Sequence, residues 1–187
     1  MIDQASEGFF SPILRNFRIS KAIPYIHGNV LDVGCGTGYL ANYIEPQNYT
    51  GFDISIDLIK IAKNLHPFHK FSTSMPSDDC KFDTIIGLAV IEHIKEPITL
   101  MNQLTGLLSN DSNSKIILTT PNPKFEWIHD YGSKINLFSR HANEEHESLL
   151  DYWMLNEIAK KSNLKLIVYK KFLFGANQLF ILKSGSH

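Results

Sequence analysis

Val30-Leu31-Asp32-Val33-Gly34-Cys35-Gly36-Thr37-Gly38-Tyr39-Leu40 decides the fold: a short aliphatic-rich run enters three glycines at alternate positions, after which the spacing becomes helical. That order reads as a strand, a tight turn and a helix start. Glycines at every second position remove the Cβ atoms that would hold a ligand off the backbone, and they permit positive φ. The turn amides and the following helix N-terminus favour a phosphate, a carboxylate or another electron-rich group. Two nucleotide-binding patterns fit poorly. Counting from Gly34, Tyr39 stands where a dinucleotide fingerprint needs its third glycine, and no lysine follows before Lys60, as a P-loop would require. A second strand, Tyr49 to Ile54, carries Asp53 near its tip, fifteen residues after Gly38. An acid there can accept both hydroxyls of a ribose. The ligand reads as a nucleoside with an anionic appendage.

With these residues the sequence resembles the class I S-adenosylmethionine-dependent methyltransferases, through Leu31 to Gly38 followed by Gly51-Phe52-Asp53-Ile54-Ser55. Phe82-Asp83 leading to Ile91-Glu92-His93, then Ile116 to Asn122, look like the fourth and fifth strands of small-molecule and glycan-pathway members. The resemblance implies an α/β, Rossmann-like, doubly wound sheet of seven strands in the order 3-2-1-4-5-7-6, with strand 7 antiparallel and helices on both faces. It implies S-adenosylmethionine as cofactor, S-adenosylhomocysteine as product, and a small-molecule or glycan-type acceptor. The cofactor site it implies comprises Asp32, Gly34, Cys35, Gly36, Gly38 and Tyr39, then Asp53 and Ile54, Ser74 and Met75, and Leu88. Family members often carry an acid after the third strand to bind the adenine amino group, whereas this chain has Ser72-Thr73-Ser74. A backbone contact near Ser74, with the adaptable Met75 side chain on the ring, is the expected substitute.

The rest of the chain alternates. Phe9 to Ile26 suggests one or two amphipathic helices, packed on the sheet or covering the cofactor, with Arg15 and Arg18 as solvated charges. Gly38 to Ile44 reads as a short helix stopped before Pro46, and Ser55 as the N-cap of a helix over 56–65. Strands follow at about His69 to Thr73, Phe82 to Leu88 and Lys115 to Thr120, with a helix starting at Pro97. A final helix, Asp151 to Lys161, precedes a hairpin of Lys165 to Phe172 and Gln178 to Lys183. This alternation implies a parallel sheet covered on both faces, with its ligand across the carboxyl ends of the strands.

Pro121 to Leu150 is the exception: thirty residues lie between strand and helix, where about 2–6 are usual, and such loops often act as lids. Phe125, Trp127, Tyr131 and Phe138 offer it an aromatic wall, and His129 and His146 polar chemistry. Methyl transfer needs nucleophile, carbon and sulfur in line, and positioning alone can supply roughly 7–11 kcal/mol. A hydroxyl acceptor is helped by a general base, for which His93, His129 and His146 are the candidates.

Length and composition bound the alternatives. A chain of 187 residues with 43% hydrophobic and 20% charged residues suits one domain over 1–187, with 1–27 as its helical cover. A net charge of −1 gives no footprint for nucleic acid or anionic membrane, so a small acceptor is expected, without membrane contact and with nucleic acid disfavoured. Two cysteines, Cys35 and Cys80, supply neither a disulfide framework nor a paired-cysteine zinc site. With no apolar run near the ~20 residues of a membrane span and no signal-like start, the expected location is the cytoplasm. Two other readings stay open. Glu92-His93 with a downstream histidine looks like part of the metal site of small-RNA 3′-terminal 2′-O-methyltransferases, although Ala89 stands where that family has another glutamate. The other is a regulatory protein that binds the cofactor without turnover.

Overall fold

Val30–Val33 forms strand β1, paired with a parallel strand on each side, and all four of its residues are buried because both faces of the sheet are covered. Around it are β2 (Tyr49–Phe52), β3 (Lys70–Ser72), β4 (Thr84–Leu88), β5 (Lys115–Pro121), β6 (Leu164–Phe172) and β7 (Asn177–Ser184). The computed structural model describes residues 11–123 and 150–185. Its sheet order is β3-β2-β1-β4-β5-β7-β6, with β7 antiparallel to both β5 and β6 and all other pairs parallel. The expected seven-stranded order is therefore the one observed.

Among the described residues four α-helices cover the sheet: α1 (Ser11–Ala22), α2 (Ile56–Leu65), α3 (Pro97–Leu107) and α4 (Tyr152–Lys161). Alternate residues of the central strands feed two separate cores. Leu31, Ile85, Ile116 and Leu118 face Met101 and Leu104 of α3 and Leu155 and Ile158 of α4. Val30, Ile86 and Ile117 face Ile19 and Ala22 of α1 and Ile59 and Ala62 of α2. The Ser55 hydroxyl accepts the Leu58 amide at 3.3 Å and Asp151 caps α4 by accepting the Met154 amide at 2.8 Å, so both helix starts follow local side-chain chemistry.

The segment after the glycine turn is a five-residue 3₁₀ turn, Tyr39–Tyr43, and not an α-helix. Left-handed Gly38 bounds it at one end and extended Ile44 at the other, and Pro46 disfavours helical geometry at Glu45, leaving too few residues for an α-helical ladder. The turn amides, without a developed helix dipole, are what it offers a ligand. At the outer edge β6 carries a register irregularity between Leu166 and Val168. Among the described residues no helix is long and apolar enough to cross a membrane. The expected lid, with Phe125, Trp127, His129, Tyr131, Phe138 and His146, lies outside the described residues.

Candidate cofactor and acceptor site

The three glycines of the turn serve different ends. A Cβ on Gly34 would lie 2.5 Å from Val90 Cγ2, and one on Gly38 would lie 2.7 Å from the Phe71 ring, so those two positions are closed by the protein's own packing. Among the described residues a Cβ on Gly36 would meet nothing within 4 Å. With φ of +55°, Gly36 turns its bare face to open space, which is where a ligand can reach the backbone. The turn is held rigidly: the Cys35 amide donates to Phe52 O at 3.0 Å and the Gly38 amide to Cys35 O at 2.9 Å. The Cys35 side chain points into the core, where burial pushes its thiol well above its ordinary range.

Asp53 stands immediately beyond β2 and is half-buried. Its two carboxylate oxygens each accept a backbone amide at 2.9 Å, Oδ2 from Gly36 and Oδ1 from Ser55. The acid therefore ties the glycine turn to the cap of α2 as well as facing the ligand end of the sheet. Ile54 beside it is 86% exposed, an apolar surface next to a carboxylate. Beneath the turn, buried Asp32 accepts the Tyr49 hydroxyl at 2.7 Å. Burial pushes the Asp32 carboxyl up to about 7, against the lowering effect of that hydrogen bond and with a further rise from Asp53. On the far side of the turn the Arg15 guanidinium lies over the Tyr39 ring, 4.3 Å from its centroid, so Arg15 is not merely solvated. After β3 the Ser74 amide donates to Ser72 Oγ at 2.9 Å, and Met75 is half-buried against the first core. Leu88, half-buried at the end of β4, packs against the second.

At the other half of the carboxyl edge the side chains are unlike those expected. His93 ends the 3₁₀ turn Ile91–His93 and is exposed, whereas its neighbour Glu92 is buried. Ala89, which leaves β4 with φ of +59°, swings the chain so that Val90 covers Gly34 and Glu92 turns inward. Burial pushes the Glu92 carboxyl up to about 7, opposed by its own backbone hydrogen bond, by Arg18 and by Thr120. Arg18 reaches this place from α1. Its Nε donates to Asn177 Oδ1 at 3.0 Å, and burial lowers its guanidinium below the ordinary value while Glu92 raises it. The expectation of a solvated Arg18 is thus overturned. The sequence carried a faint signal, since Arg18 falls four residues before buried Ala22 and one before buried Ile19, on the inward side of the helix. Among the described residues no group of three or more His, Cys, Asp or Glu side chains could hold a metal ion.

Comparison with known proteins bears on the family and the fold. The methyltransferase-domain family matches residues 6–168, most of the chain, and the chain belongs to that family. The ubiquinone biosynthesis O-methyltransferase of Xylella fastidiosa is 29% identical over 102 residues, which are 48% of this chain and 41% of that protein. The tRNA U34 carboxymethyltransferase of Campylobacter concisus is 35% identical over 92 residues, 43% of this chain and 32% of that one. The chain thus spans less than half the length of the curated relatives it matches. In fold it is similar to magnesium protoporphyrin IX methyltransferase from Synechocystis with bound SAH, at a TM-score of 0.63 and 16% identity, covering 92% of this chain and 82% of that one.

Proposed function

We propose that this member of the methyltransferase-domain family transfers a methyl group from S-adenosylmethionine to a small-molecule or glycan-type acceptor by direct in-line displacement. The observation that carries the reading is the Gly36 face, open to space beside an amide-bound Asp53 at the carboxyl ends of β1 and β2. When bound there, S-adenosylmethionine supplies a methyl carbon on a positively charged sulfur, which needs orientation more than chemical activation. The residues fit that task. Gly36 admits the amino-acid portion against the backbone, and each Asp53 oxygen, already fixed by one amide, keeps a lone pair for a ribose hydroxyl. Exposed Ile54 offers one face for an adenine ring, with Ser74 and Met75 at its edge and Leu88 at the end of β4. Buried Asp32 places a second carboxyl below the turn, suited to an ammonium group. His93 remains a candidate base from the exposed side of its turn. The near-neutral charge of −1 and the ubiquinone-pathway relative favour a small acceptor over a polyanion.

Calorimetry with S-adenosylhomocysteine tests this directly. Binding in the micromolar range is expected, and Asp53→Ala should weaken it by about 1.5–3 kcal/mol, the worth of hydrogen bonds to a charged group. Because Asp53 also holds the Gly36 and Ser55 amides, the variant should lose some thermal stability too. Heat from NAD with none from S-adenosylhomocysteine would overturn the assignment.

A further inference from the structure

Two residues that interact with Arg18 at the carboxyl edge of the sheet, Glu92 through charge and Asn177 through a hydrogen bond, each keep one hydrogen-bonding atom unused among the described residues. Glu92 Oε2 is buried and has no hydrogen-bond partner among the described residues, and the same holds for Asn177 Nδ2. Asn177 Oδ1 accepts the Arg18 Nε–H, which orients its amide so that only the donor end is left. Buried polar atoms are rarely left unpaired, and one that persists calls for an explanation in function. Here one acceptor and one donor remain, contributed by the turn after β4 and by the first residue of β7 and linked through a residue of α1. Neither atom can satisfy itself locally. As a carboxylate Glu92 only accepts, and the Asn177 side-chain nitrogen only donates.

We propose that Glu92 and Asn177 form a receptor for the hydroxyl group of the methyl acceptor: Glu92 Oε2 accepts its hydrogen and Asn177 Nδ2 donates to one oxygen lone pair. The assignment rests on the methyltransferase reading above and narrows it to oxygen as the methylated atom. A hydroxyl both donates and accepts, so it satisfies both orphans at once. A carbonyl or ether only accepts, and an ammonium only donates. Arg18 weighs further against a cation, since its positive charge lies close enough to Glu92 to lower that carboxyl and would repel an ammonium group there. With its hydrogen on Glu92 and one lone pair on Asn177, the oxygen keeps a second lone pair to point at a methyl carbon. Exposed His93, one residue away, stays on the rim.

The test uses the full chain, isotopically labelled and saturated with S-adenosylhomocysteine, with catechol as a neutral hydroxyl probe. The Asn177 side-chain amide resonances should shift saturably with catechol. Catechol dimethyl ether and benzylammonium should each need at least tenfold higher concentrations for any comparable shift. Glu92→Leu should raise the catechol concentration needed at least tenfold while S-adenosylhomocysteine affinity, measured on the same sample, stays within about twofold. If that variant does not fold, Asn177→Asp, which swaps the donor for an acceptor at constant shape, should weaken catechol by as much. An unchanged catechol response in either folded variant would overturn the proposal and leave the pair as structural. So would the absence of any catechol response in a wild-type chain that binds S-adenosylhomocysteine. Failure to bind S-adenosylhomocysteine at all would instead sink the reading beneath it.

Discussion

Asp32 and Glu92 are two buried carboxyls at the same edge of one sheet, and burial pushes each up to about 7. Their surroundings differ in kind. Asp32 receives the Tyr49 hydroxyl at 2.7 Å, and the turn above it is closed by backbone hydrogen bonds and by Asp53. Glu92 has an oxygen with no partner among the described residues, and it interacts electrostatically with an arginine that is itself engaged with Asn177. The first region is a finished network that presents backbone to a ligand. The second is an unfinished one that presents side chains. On the proposals above, the first meets the cofactor and the second the acceptor.

The largest break in this contrast is expected at Gly36. Gly36→Val places a branched side chain in the open space that a ligand would enter and adds left-handed backbone strain of roughly 1–2 kcal/mol. Binding of S-adenosylhomocysteine should fall at least a hundredfold by calorimetry while the chain still unfolds cooperatively. Near-normal affinity would make the turn a mere connection. Gly34→Ala should act the other way round and damage folding first, because its Cβ meets Val90 at 2.5 Å.

A smaller effect is expected at Tyr49. Tyr49→Phe removes the Tyr49 hydroxyl that donates to Asp32 and should cost about 1–3 kcal/mol in urea unfolding, the range for stranding a buried polar group. No change would mean that Asp32 is held by something else.

Smallest is the pH effect that both carboxyls share. Each holds its proton more tightly folded than unfolded, so the native state binds more protons, and their stabilising contribution is present near pH 4 and lost as pH rises towards 7. Glu92→Gln removes one share of that loss. The thermal midpoint of the variant should therefore decline less than that of the wild type between pH 5 and pH 8, by a few degrees at the scale of roughly 2–4 °C per kcal/mol. Parallel curves would show that Glu92 is already ionised throughout.

The first region was legible in the sequence because its working parts are backbone and lie close together. Gly34, Gly36 and Gly38 announce a turn, Asp53 follows a strand, and Ser55 sits where a helix needs a cap. The strand order came from family resemblance and not from any local pattern. The second region was not legible. Arg18, Glu92 and Asn177 are spread across 159 residues, and nothing local says that an arginine on an amphipathic helix will turn inward to an asparagine at the start of the last strand. Titration chemistry drew attention to His93, but the left-handed step at Ala89 sends its neighbour inwards and leaves the histidine outside.

The irregularity in β6 has a consequence for how copies of the chain meet one another. β6 is nine residues long and among the described residues has a sheet neighbour on one side only, so it offers a row of backbone groups to which another strand could add. Long flat edges of this kind recruit further copies into ribbons. The register shift between Leu166 and Val168 interrupts the regular row, and exposed Lys165, Lys170 and Lys171 would set like charges against each other across any edge-to-edge pair. At the opposite edge β3 is only three residues long. The sheet thus stops growing at both ends by different means, by brevity at one and by distortion and charge at the other.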